Sequence, residues 1–137
     1  MRVFLDANIL FSAAKADGAV RRLLHFLVEQ GHECCADAYV VTEARRNLIA
    51  KGPQALAVLD ALLPHLRVVP ASLAPGATPL VDWLPEKDRP VLAAAIRLGC
   101  DAVVTGDRTH FGAGYGKAFG GVRLHSPRSL ADWLLRP

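Results

Sequence analysis

Four acids, Asp6, Glu43, Asp88 and Asp107, stand where a chain of alternating strands and helices can bring them together. Asp6 closes the apolar run Val3-Phe4-Leu5, and Asp107 follows the run Ala102-Val103-Val104-Thr105. Glu43 and Asp88 each fall near the start of a helical segment. Carboxylates gathered at the carboxyl edge of a parallel sheet form a site for hard divalent cations. That is the chemistry this spacing suggests.

Each acid also has a plainer reading. Asp6 could be a turn residue or a helix cap, with Asn8 two residues on. Asp107 lies in the turn-like Gly106-Asp107-Arg108. Asp88 would make a good N-cap for Arg89-Pro90-Val91. Glu43 shares an edge of the Val40, Val41, Ala44, Leu48 stripe with Asn47, four residues away, so it can border a cleft or pair with an arginine. Asn8 and Thr105 are placed to orient a carboxylate from behind. Glu86 could support the group, and His110, near Asp107, could contact phosphate but reads first as a surface residue of a loop. Asp17, Asp37, Asp60, Asp82, Asp101 and Asp132 read as caps, turns or exposed positions.

The elements that must position these groups follow from periodicity. Arg2–Leu5 reads as a buried strand bounded by a turn at Asp6-Ala7-Asn8, and Ala19–Gln30 as a helix stopped by Gly31. Glu33–Ala36 is a short strand. Asp37 caps a helix to about Lys51, and Pro53 opens another that ends near Leu66. Arg67–Pro70 is a third strand. Ala71–Pro85 is a loop with one helical turn around Leu80–Leu84. A helix from Asp88 through Leu98 leads into a strand at Asp101–Thr105. The glycine-rich stretch Gly106–Gly121 reads as a mobile loop. Val122–His125 is a fifth, edge strand before a last helix at Ser126-Pro127. Strands separated by helices imply a three-layer α/β/α sandwich on a mainly parallel sheet of four to five strands.

Composition narrows the classes. A 52% hydrophobic content supports a packed core and excludes a disordered chain. No apolar run reaches the length of a membrane span, and Asp6 arrives too early for a signal peptide, so a cytoplasmic protein without membrane partners is expected. Cys34, Cys35 and Cys100 lack a CxxC pair and read as reduced core thiols. The net charge of +3 is small, but Lys87, Arg89 and Arg108 lie near the acids. A polyanion could be held by such surroundings while metal neutralises the centre.

Four segments together resemble PIN-domain ribonucleases, especially the VapC-type toxins of type II toxin–antitoxin pairs. They are Val3-Phe4-Leu5-Asp6-Ala7-Asn8-Ile9-Leu10, Val41-Thr42-Glu43-Ala44, Asp88-Arg89-Pro90-Val91-Leu92-Ala93-Ala94-Ala95 and Val103-Val104-Thr105-Gly106-Asp107-Arg108. The resemblance covers nearly the whole chain and implies one PIN-like nuclease domain over residues 1–137. It implies a Mg²⁺- or Mn²⁺-dependent endoribonuclease hydrolysing RNA phosphodiesters. In that reading Asp6, Glu43, Asp88 and Asp107 are metal ligands and catalytic acids, with Asn8 and Thr105 as polar helpers. Many relatives carry a further acid after the Asp107 position; Arg108-Thr109-His110-Phe111 has none, which puts a second metal in doubt. A cognate antitoxin and a homodimer through the hairpin from Asp37 to Leu66 are the partners implied. The alternatives are a solitary PIN nuclease in RNA processing, a non-cleaving PIN-like RNA-binding module, and a haloacid-dehalogenase-like phosphatase. The last needs a second Asp where this chain has Asn8.

Overall fold

The first strand carries no polar residue between Val3 and Leu5 because it is covered on both faces, and all three side chains are fully buried. In the computed structural model, which describes residues 1–72 and 78–136, this strand β1 (Arg2–Leu5) lies inside a six-stranded sheet. The other strands are β2 (Glu33–Asp37), β3 (Arg67–Val69), β4 (Ala102–Val104), β5 (Ala118–Phe119) and β6 (Val122–His125). Their order is β3-β2-β1-β4-β6-β5. All pairings are parallel except β5 with β6.

Eight α-helices surround the sheet among the described residues: α1 (Ala7–Lys15), α2 (Ala19–Glu29), α3 (Ala38–Lys51), α4 (Leu56–Leu62), α5 (Thr78–Val81), α6 (Arg89–Arg97), α7 (Arg108–Phe111) and α8 (Pro127–Leu134). From β1 the chain steps outward to β2 and β3, then returns past β1 to β4. Right-handed crossovers in opposite directions put their helices on opposite faces, which makes the three layers. Helix α1 packs against α2, α3 and α4, while α6 packs over β4 with α5 beside it. No described helix is long and apolar enough to cross a membrane.

The layered α/β/α architecture is the one expected, with three differences. The first is α1, where a turn at Asp6-Ala7-Asn8 was expected. Asp6 is its N-cap, and Leu10, Ala13 and Ala14 form its buried stripe at helical spacing. The second is the strand count, six rather than four to five, and β6 is not an edge: it pairs β4 on one side and β5 on the other. The third is Gly106–Gly121, which is built rather than loose. It holds α7, a 3-10 turn at Gly112–Gly114, and β5. Gly120 and Gly121, with φ of +57° and +83°, make the two-residue hairpin turn into β6. The Trp83 and Phe119 rings stack at 4.9 Å over it. Part of the expected 71–85 loop, residues 73–77, lies outside the described residues.

Gly114 shows how tight this segment is. A Cβ there would meet Leu124 Cδ1 at 2.6 Å and Trp83 Cη2 at 2.6 Å. Leu124 is fully buried and cannot move aside. Gly114→Ala is expected to cost about 1–3 kcal/mol through overpacking. A lowered urea midpoint with an unchanged slope would show it, and an unchanged midpoint would contradict it. Cys34, Cys35 and Cys100 are buried and unbridged.

Candidate metal centre

The sheet order reverses direction between β1 and β4, and a crevice opens outside their carboxyl ends at such a switch point. Asp6 leaves β1 there and Thr105-Gly106-Asp107 leave β4. The two chain ends are joined by Asp6 N donating to the Val104 carbonyl at 3.1 Å.

Asp6 is 6% exposed and its carboxylate is held from three directions. Oδ1 accepts from the Ala7 amide at 2.7 Å, the start of α1. Oδ2 accepts from the Thr105 hydroxyl at 2.8 Å and from the Asn8 amide at 3.2 Å. Thr105 Oγ1 in turn accepts from Asn8 Nδ2 at 3.1 Å and from the Asp107 amide at 3.1 Å. With one proton given and two received, this hydroxyl is saturated. Asn8 Oδ1 receives the Gly106 amide at 2.7 Å. The two residues expected as helpers therefore tie the β1 end to the β4 end. Tyr115 adds a pin by donating its hydroxyl to the Thr105 carbonyl at 2.7 Å.

Asp88 comes from the opposite helical layer. The sequence suggested an N-cap, but its side chain makes no cap hydrogen bond: the residue ends a 3-10 turn, Glu86–Asp88, ahead of α6. Released from capping, the carboxylate points into the crevice, with the residue 8% exposed. Glu43 reaches the same crevice from α3, with Asn47 one turn on. The crevice measures about 340 Å³ and is lined by Asp6, Glu43, Asp88 and Asp107 together with Asn8, Asn47 and Lys87. All four expected acids thus share one cleft. Lys87 Nζ sits 3.9 Å from Asp88 Oδ1, and the Tyr39 hydroxyl donates to the Lys87 carbonyl at 2.6 Å, fixing that turn. Glu86 is exposed and does not line the cleft. Arg89 is committed elsewhere, donating to the Leu84 and Asp82 carbonyls.

His110, expected as a surface residue of a loop, stands instead at the acids. Asp107 caps α7 by accepting the His110 amide at 3.1 Å, and that single turn swings the imidazole back over the acids. Nδ1 lies 2.9 Å from Asp88 Oδ2 and 2.8 Å from Asp107 Oδ2. The i, i+3 spacing to Asp107 was visible in the sequence; the approach to Asp88 was not.

Burial raises the pKa values where the acids are deepest. Desolvation pushes the Asp6 carboxyl from 3.8 up to about 6. The bonds from Thr105 and Ala7 oppose the rise, and the charges of Asp88 and Glu43 add to it. Burial also raises Asp88, against the pull of Lys87 and His110. A cation between these oxygens removes both costs. The donor set fits one: one atom each from Asp88, Asp107 and His110 lie within 4.8 Å of one another, and beyond these mutual contacts Asp88 Oδ2 and His110 Nδ1 are buried without a partner.

Solved structures share this fold. VapBC2 from Rickettsia felis, bound to a DNA fragment from its promoter, superposes with a TM-score of 0.67 at 18% identity, over 92% of this chain and 98% of that one. FitAcB from Neisseria gonorrhoeae gives 0.64 at 20% identity over 92% and 98%. VapC20 of Mycobacterium tuberculosis, a sarcin-ricin loop cleaving toxin, gives 0.59 at 14% identity over 85% and 98%. No curated protein matches the chain. The PIN-domain family model matches residues 2–109, which takes in β1 through the Asp107 turn. Matched over most of its length and folded like the VapC-type proteins, this chain belongs to the PIN-domain family.

Proposed function

We propose that this protein is a Mg²⁺- or Mn²⁺-dependent endoribonuclease, one domain over residues 1–137, acting as the toxin of a toxin–antitoxin pair. The observation that carries the reading is the convergence of Asp6, Glu43, Asp88 and Asp107 on one cleft at the switch point of the sheet. A module that only binds RNA gains nothing from ionised acids packed together, since they repel each other and the phosphates alike. Membership of the PIN family also sets aside the phosphatase alternative.

In this reading Asp6, Glu43, Asp88 and Asp107 hold the cation. When bound, it activates water and screens the charge developing on the scissile phosphate. Thr105 and Asn8 keep the Asp6 carboxylate in one orientation, so no reorganisation is needed as the phosphate enters. Lys87 stands at the cleft wall, where its ammonium meets a phosphate before the acids do. An RNA strand is the substrate class that this electrostatic pattern suits. Relatives with DNA-bound partners suggest an antitoxin chain, and the α3–α4 hairpin, with Ile49 63% exposed, suits a homodimer or that partner. A cytoplasmic location goes with this role.

The test is cleavage of RNA by purified protein in Mn²⁺ and in EDTA. Cleavage with Mn²⁺ that stops in EDTA supports the reading. Equal cleavage in both, or none with Mn²⁺ or Mg²⁺, overturns it.

A further inference from the structure

We propose that His110 is itself a metal ligand, binding through Nδ1 beside Asp88 and Asp107, and that it tilts the site toward Mn²⁺ over Mg²⁺. The inference rests on the metal-dependent reading above and deepens it.

Three observations converge on the Nδ1 atom. It is within 2.9 Å of Asp88 Oδ2 and 2.8 Å of Asp107 Oδ2. Without metal these are ion-pair distances, with Nδ1 set between two carboxylates and neither Nδ1 nor Asp88 Oδ2 offered any other partner. Asp88 is 8% exposed, so Oδ2 depends on that shared nitrogen or on a cation. One atom each from Asp88, Asp107 and His110 lie within 4.8 Å of one another, a span that one cation can bridge. Neighbouring ligands of one octahedral ion, at about 2.1 Å from it, stand about 3 Å apart, which is the spacing seen here.

The surrounding structure holds the ring in place. Its own amide is bonded to Asp107 Oδ1 at 3.1 Å, and Phe111, next in the chain, is fully buried. The ring stands in the segment Arg108-Thr109-His110-Phe111, which supplies no acid. A neutral imidazole there replaces a hard anionic oxygen with a softer nitrogen. Mg²⁺ favours all-oxygen shells, whereas affinity for nitrogen rises along the first transition row from Mn²⁺.

Mn²⁺ alone is the probe, bound to tag-free protein and read by electron spin-echo modulation. The expected result is imidazole ¹⁴N coupling on bound Mn²⁺ in the wild type, lost in His110→Ala. Mn²⁺ affinity by calorimetry is expected to fall about tenfold or more in that variant, with Mg²⁺ affinity changing less. His110→Asn, which keeps a polar side chain, serves should the alanine variant unfold. Stoichiometric Mn²⁺ without nitrogen coupling, or coupling that persists without His110, overturns the inference and leaves the acidic site standing. No Mn²⁺ binding at all overturns the inference and the proposed function together.

Discussion

Asp6→Asn is expected to reduce RNA cleavage on the order of a thousandfold or more, while making the metal-free protein more stable at pH 8. The two effects have one cause. Asp6 is buried at the centre of the site and ionises only against the cost of desolvation, which lifts its pKa from 3.8 to about 6. A shift of about two units corresponds to about 3 kcal/mol of destabilisation once both folded and unfolded states are ionised. The sign follows from proton binding. Between pH 3.8 and about 6 the folded state keeps a proton that the unfolded state has released, so stability falls as pH rises through that window. Asparagine carries no charge and escapes the penalty, keeping its amide oxygen on Thr105 and Asn8 at the loss of the bond from the Ala7 amide. Urea unfolding in EDTA should therefore show Asp6→Asn ahead of wild type at pH 8, with the two drawing together near pH 4. Wild-type cleavage by the variant would remove Asp6 from the site.

Metal should restore what ionisation costs. Mn²⁺ at a hundredfold excess over its Kd is expected to stabilise the fold by about 2.7 kcal/mol, a rise in Tm of about 8–10 °C for a chain of this size. Protons compete for the same oxygens. The rise should be full at pH 8 and shrink as pH falls below about 6, where Asp6 is protonated; burial raises Asp88 in the same direction. Differential scanning calorimetry at pH 8 and pH 5, each with and without Mn²⁺, measures it. An equal rise at both values would mean the cation sits elsewhere, and no rise at pH 8 would mean the acids do not bind one.

Much of this site could be read before the fold was known. The strands that lead to Asp6 and Asp107 carry the apolar, buried runs Val3–Leu5 and Ala102–Val104, so their position inside a parallel sheet follows from burial. Glu43 was placed by the 3.6-residue period of α3. What the sequence hid depends on contacts between distant segments. Asp88 reads as a site residue that could also cap its helix, and only the 3-10 turn before α6 shows that its carboxylate makes no cap bond. Helix α1 was masked by Asp-Ala-Asn, which suits a turn as well as a helix start. The Gly106–Gly121 segment has a flexible composition, yet Tyr115 is bonded to Thr105, Trp83 covers Phe119, and Gly114 presses on Leu124. None of these partners is local. His110 is the same case: its second carboxylate, Asp88, comes from the 3-10 turn ahead of α6 on another segment of the chain.

The order of the sheet also sets when the site can exist during synthesis. Asp6 and Thr105, joined by a 2.8 Å hydrogen bond, are 99 positions apart in the chain. β1 sits between β2 and β4, and the Thr105 amide is held by the His125 carbonyl of β6. A ribosome therefore releases the first carboxylate long before the strands that orient it. The emerging chain carries its acids separately, with no cleft to gather them. Under the proposed function, cleaving activity would therefore be delayed until translation has passed β6.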